Sequence, residues 1–192
     1  MQYNNENNCL NRMESLNLNN IVITGFMGVG KSTVGKLVAE PLARNFIDMD
    51  ATIEEEEKIS IREIFTERGE PYFRKCESRL VEKLCKMRSL VIATGGGTFL
   101  QWKSHELFFA NQAFIVSLTA PLSEILKRLS DPLCRPLLAS RTRNETALKD
   151  LFESRQSIYN KLTNKVDTTG KTAKEVANLV LDLFYHSSLS KK

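Results

Sequence analysis

Short apolar runs, set apart by stretches in which apolar residues return every third or fourth place, give the plan of this chain. Ile21-Val22-Ile23-Thr24, Leu90-Val91-Ile92-Ala93-Thr94 and Ala113-Phe114-Ile115-Val116-Ser117-Leu118 have the continuous apolar character of strands buried on both faces. Phe46-Ile47-Asp48-Met49-Asp50 is apolar and then acidic. It reads as a further strand ending in two carboxylates at i and i+2, on one side of the strand. The alternative is that Asp48 and Asp50 cap a helix over Ala51–Lys58. A short strand is also expected around Val166-Asp167-Thr168.

Helical periods fill the intervals. The helix after the first strand should end near Glu40, ahead of Pro41. Ser60-Ile61-Arg62-Glu63 is a capping-box pattern opening a short helix with Ile61, Ile64 and Phe65 inward, broken by Gly69-Glu70-Pro71. Phe73, Cys76, Leu80, Leu84 and Met87 form a stripe on a helix from Tyr72 to about Met87. Further helices are expected over Trp102–Phe109, from Pro121 to about Leu129, over Glu145–Leu162 and over Thr172–Phe184. The last should turn Val176, Leu179, Val180 and Leu183 to one face. Strands alternating with helices call for an α/β fold of three layers, a parallel sheet between two layers of helices.

Composition narrows this to one domain, about residues 19–186. The 192 residues are 42% hydrophobic, enough for one sizeable core, and no internal repeat or linker interrupts them. Residues 1–18 hold six asparagines and few large apolar residues, so a disordered extension is expected there and a frayed tail over 187–192. Residues 130–143 carry Pro132, Pro136, Arg135, Arg141 and Arg143 without a clean period. A connection of that length in a compact domain suggests a mobile lid.

Charge and cysteines exclude more than they assign. A net charge of +4 suits a small anionic ligand, and without a long basic run it makes no case for nucleic acid. No apolar run approaches the length of a membrane span. The polar N-terminus lacks the apolar region of a secretory signal. Cys9, Cys76, Cys85 and Cys134 form no C-x-x-C pair, as expected of reduced thiols in a cytoplasmic protein.

The chemistry begins at Gly25-Phe26-Met27-Gly28-Val29-Gly30-Lys31-Ser32, a G-x-x-x-x-G-K-[ST] phosphate-binding loop between a strand and a helix. Its glycines would bring backbone N–H groups against phosphate oxygens, and Lys31 would add a charge. Ser32 and Asp48 could hold Mg²⁺, directly or through water. Asp50 could take a proton from an acceptor hydroxyl, and Arg135 could close over the transferring phosphoryl group. Gly95-Gly96-Gly97, at the carboxyl end of a core strand, would admit a ligand with no side chain in the way. Arg74 and Arg155 are candidates for an anionic acceptor, since a guanidinium fork matches a carboxylate. Asn164-Lys165-Val166-Asp167 matches the guanine-reading N-K-x-D of GTPases, but the D-x-x-G at Asp167–Gly170 overlaps and follows it, in the wrong order.

The ordered set resembles the shikimate kinases, a family of the nucleoside-monophosphate-kinase type of P-loop fold. The resemblance spans about Asn20 to Phe184. It comprises Gly25–Gly35, Asp48-Met49-Asp50, G-E-x-x-F-R-x-x-E at Gly69–Glu77, Thr94–Gly97, Arg135–Leu138, and R-x-x-x-Y at Arg155–Tyr159. The resemblance implies a five-stranded parallel sheet of order 2-3-1-4-5 with a mobile lid. It implies that Asp50, Arg74, Gly95, Gly96, Gly97 and Arg155 bind shikimate, with Asp50 as base. Gly28, Val29, Gly30, Lys31, Ser32, Thr33, Arg128 and Arg135 would bind ATP. Lys31 and Arg135 would neutralise phosphate charge, and Ser32 would hold Mg²⁺, with Asp48 doing so through water. The implied product is 3-phosphoshikimate, on the route to chorismate and the aromatic amino acids, made by an enzyme that is often monomeric. Ser157 stands where the family often has proline, and Thr169–Ala173, where the adenine edge is expected, matches poorly. A gluconate-kinase-like enzyme of the same fold and a nucleotide-binding protein without catalysis are the rival readings.

Overall fold

The computed structural model describes residues 19–130 and 145–189, so the N-terminal extension, most of the expected lid with Arg135, and the last three residues lie outside the described part. Five strands make one parallel sheet: β1 (Ile21–Gly25), β2 (Asn45–Asp48), β3 (Leu90–Ala93), β4 (Phe114–Thr119) and β5 (Asn164–Asp167). Their spatial order is β2-β3-β1-β4-β5, as the resemblance implied. Among the described residues the helices are α1 (Lys31–Ala39), α2 (Met49–Glu57), α3 (Ile61–Glu67), α4 (Gly69–Cys85), α5 (Trp102–Ala110), α6 (Leu122–Ser130), α7 (Glu145–Tyr159) and α8 (Ala173–Leu189).

The continuous apolar runs follow from burial of both sheet faces. In β1, Ile21 and Ile23 join Val34 and Val38 of α1 and Val176 and Val180 of α8 in one core. Val22, between them, faces the other core with Ile53, Ile64, Leu80 and Phe108. The sheet neighbours of Val22, Ile92 and Ile115, point the same way. Each fully buried aliphatic side chain of this kind contributes about 1.5–3 kcal/mol, so a one-residue register slip would exchange the contents of both cores.

Local chemistry moves several expected boundaries. The strand of Asp48 does not run on to Asp50. Asp48 Oδ1 accepts from the amides of Asp50 and Ala51, which starts α2, so the two carboxylates share a helix start rather than one side of a strand. Gly69-Glu70-Pro71 forms the first turn of α4, where Pro71 costs no helical hydrogen bond, instead of a break before it. Met87 lies beyond that helix and is 42% exposed, and Leu179 is 38% exposed, so neither belongs to its expected apolar face. A capping box of Thr172 with Glu175 starts α8, and that helix runs to Leu189, into the stretch expected to fray. The capping box at Ser60 and Glu63 forms as expected.

In an open α/β sheet the ligand crevice lies at the carboxyl ends of the strands. Here β1 delivers the phosphate loop to that edge and β3 delivers the glycine triple. Gly35 sets how α1 lies against β2, because a Cβ there would sit 2.4 Å from the Phe46 ring.

Candidate active site

The phosphate half is built by one continuous stretch. Gly28 and Gly30 take positive φ of 79° and 97°, which glycine adopts at little cost, and Gly30 leads directly into α1. The N-terminal amides of α1 thus face the loop, an arrangement that favours anions. Lys31 Nζ donates to the carbonyls of Gly25 and Phe26, each at 3.0 Å. A cavity of about 410 Å³ opens over Gly28–Val34 and is closed on its far side by Arg128, Leu129, Thr168, Gly170 and Lys171. The poorly matching stretch near Thr169 therefore does border the cavity. Arg128 is held at its edge. Its Nε pairs with Glu124 at 3.0 Å, and its other nitrogens donate to the hydroxyl and carbonyl of Thr168 at 2.9 and 3.0 Å.

The Ser32 hydroxyl donates to Asp48 Oδ2 at 2.5 Å. These are two hard oxygen donors at the mouth of the phosphate loop, a donor set that fits Mg²⁺ with water and phosphate oxygens completing its shell. No cluster of three or more His, Cys, Asp or Glu side chains able to hold a metal occurs among the described residues, so the pair would share the ion with the nucleotide.

The acid half is assembled from four separate elements, and the glycine triple is its mould. A Cβ on Gly95 would lie 2.7 Å from Asp50 Oδ1, one on Gly96 would lie 3.4 Å from Arg155 Nη1, and one on Gly97 would lie 2.6 Å from Arg74 Nη1. Each glycine makes room for a different candidate side chain. Asp50 comes from the first turn of α2, Arg74 from α4 and Arg155 from α7, so the structure brings all three to one turn.

The two arginines differ electrostatically. Arg74 donates to Glu70 through Nε and Nη2 and to Glu77 through Nη1. Burial works against its charge, yet the two carboxylates hold its guanidinium above the ordinary value. Arg155 is 8% exposed, and its buried Nε has no hydrogen-bond partner among the described residues. Burial pushes its guanidinium below the ordinary value, and the like charge of Arg74 adds to that. A desolvated cation with an orphan donor, beside a second cation, is complementary to an anion that reaches both.

A model of the shikimate kinase family matches residues 27–184. The chain belongs to the shikimate kinase family. It is 39% identical over 164 residues to a shikimate kinase of Persephonella marina, covering 85% of this chain and 98% of that one. Among solved structures, the shikimate kinase from Acinetobacter baumannii in complex with shikimate aligns with a TM-score of 0.80 at 35% identity, over 90% of this chain and 96% of that one. A gluconokinase from Sinorhizobium meliloti aligns with a TM-score of 0.57 at 17% identity, over 89% of this chain and 94% of that one, and so shares the fold alone.

Two residues of this kinase had no role from sequence. Glu77 is fully buried. One of its oxygens accepts from Thr98 Oγ1 at 2.7 Å, and the other accepts from Arg74 and from Gln101 Nε2. The signal was its place three residues after Arg74 in the F-R-x-x-E pattern, on the same helix face. Tyr159 donates to the Gly96 carbonyl at 2.5 Å. The Asn164–Asp167 decoy is β5: Asn164 bonds the Ile115 carbonyl, and Asp167 accepts from Thr169. Arg135 and the expected lid from residue 131 onward lie outside the described residues.

Proposed function

We propose that this kinase transfers the terminal phosphoryl group of ATP to the 3-hydroxyl of shikimate, giving ADP and 3-phosphoshikimate on the route to chorismate. The observation that carries the substrate half is the meeting of Arg74 and Arg155, whose Nε is orphaned, at the glycine triple beside Asp50. Two guanidinium groups suit the substrate carboxylate, and Asp50 suits its ring hydroxyls. Asp50 accepts the hydroxyl proton as the oxygen bonds to phosphorus and the bond to the ADP oxygen breaks. The loop amides of Gly28–Thr33 hold the phosphate tail, Lys31 and Arg135 meet the charge on the transferring group, and Arg128 lies along the base. Ser32, and Asp48 through water, would hold Mg²⁺, which would add to the neutralisation of phosphate charge. The enzyme works as a monomer in the cytoplasm in this reading. Among the described residues no helix is long and apolar enough to cross a membrane, and Cys76 and Cys85 are free thiols.

An ADP-release assay with shikimate and gluconate tests this. ADP release is expected with shikimate and Mg²⁺-ATP. Turnover with gluconate and none with shikimate would overturn the reading in favour of the gluconate-kinase-like one.

A further inference from the structure

The carbonyl of Gly96 is shared. It accepts from Arg155 Nη1 at 2.9 Å and from the Tyr159 hydroxyl at 2.5 Å. The two donors lie four residues apart on α7, so they stand one above the other on one helix face. A carbonyl oxygen has two lone pairs and serves both. We propose that Tyr159 is a positioning residue for the acid half of the site: its hydroxyl anchors the Gly96 carbonyl and so holds Arg155 in the orientation that receives the substrate carboxylate. This rests on the shikimate reading above.

Arg155 needs such an anchor. Its Nε has no partner, and the face of Phe26 lies 5.8 Å from its guanidinium carbon, so the Gly96 carbonyl is its hydrogen-bonded fixed point among the described residues. That carbonyl belongs to a turn of three glycines, the most pliable backbone in the site. Tyr159 is not pliable. The residue is 6% exposed and belongs to the core cluster that also holds Phe26 and Leu148. Burial pushes its phenol up to about 12, so the hydroxyl remains a donor at any working pH. A rigid donor therefore fixes a pliable acceptor, and the acceptor orients a charged side chain with a free edge. Preorganisation of this kind raises affinity for the group that the free edge meets.

Tyr159→Phe keeps the ring and removes only the hydroxyl. The expected result is a rise in KM for shikimate of about three- to tenfold, the scale of one neutral hydrogen bond, with KM for ATP unchanged. The decisive comparison adds an analogue in which hydroxymethyl replaces the shikimate carboxylate. In the variant, the preference in kcat/KM for the acid over the alcohol should fall by the same factor. That ratio does not depend on how much of the variant folds. In an Arg155→Lys background the same substitution should add little. Equal losses for acid and alcohol, or for shikimate and ATP, would reduce Tyr159 to a packing residue and overturn the proposal. If the wild type uses shikimate and Tyr159→Phe matches it, this inference falls alone. If the wild type does not use shikimate, the proposed function falls with it.

Discussion

The two halves of the site are made in opposite ways. The phosphate half is one uninterrupted stretch, Gly25 to Thr33, whose geometry is dictated by its own glycines and by the helix it starts. The acid half has no continuous sequence. Asp50, Arg74 and Arg155 lie 24 and 81 residues apart along the chain (74 − 50 and 155 − 74), and they meet because β3 ends in a turn with no side chains. A local motif binds what many proteins bind. In the proposed function the assembled half selects the acceptor, and it depends on the sheet order for its existence.

That contrast can be broken by substitutions in the acid half that spare the nucleotide. The largest effect is expected from Asp50→Asn: turnover should fall on the order of a thousandfold while ATP binding, read by equilibrium titration, stays near that of the wild type. Near-normal turnover would remove Asp50 from the role of base. Next, Arg74→Lys should raise KM for shikimate about thirtyfold, the scale of lost charged hydrogen bonds, because lysine cannot serve Glu70, Glu77 and a carboxylate at once. An equal change in KM for ATP would show that the halves are not separate.

The glycine mould offers a subtler test. Gly97→Ala meets no positive φ, and its new methyl would displace the guanidinium of Arg74. KM for shikimate should rise about tenfold, as misplacement of a binding group by part of an ångström does. Gly96→Ala, with its nearest contact at 3.4 Å, should cost less. The reverse ranking would mean that the triple serves the backbone rather than the side chains around it.

The smallest effect is a titration. The Tyr159 phenol is held near 12 against an ordinary value of 10.0. Below pH 10 the phenol is protonated in folded and unfolded chains alike, and its contribution to stability is complete. From pH 10 to 12 the unfolded chain ionises first, so that contribution is lost. The difference between alkaline absorbance titrations of the wild type and Tyr159→Phe should show one phenolate appearing near pH 12. A difference centred at pH 10 would place the ring in water.

Most of the fold was legible in the sequence because both faces of the sheet are covered, and burial on both faces writes unbroken apolar runs. The order β2-β3-β1-β4-β5 was legible only through resemblance, since no run states its neighbours. Asp48 and Asp50 misled because i, i+2 spacing cannot say where a strand stops. The stop is set by Asp48 itself, which takes two amides into a helix start. Glu77 and Tyr159 fall within motifs that assign them no role, because their partners, Thr98, Gln101 and Gly96, are brought near only by the fold.

Lys31 gives the phosphate loop a threshold. Its ammonium already rests on two carbonyls of its own loop, so an arriving anion meets a cation shared with that loop instead of a bare charge. Inorganic phosphate or sulfate gains that shared cation and a few amides. A triphosphate gains the same cation and the whole row of loop amides with it. The resting contacts thus lower what Lys31 alone offers an anion and leave the loop amides to favour the longer phosphate tail.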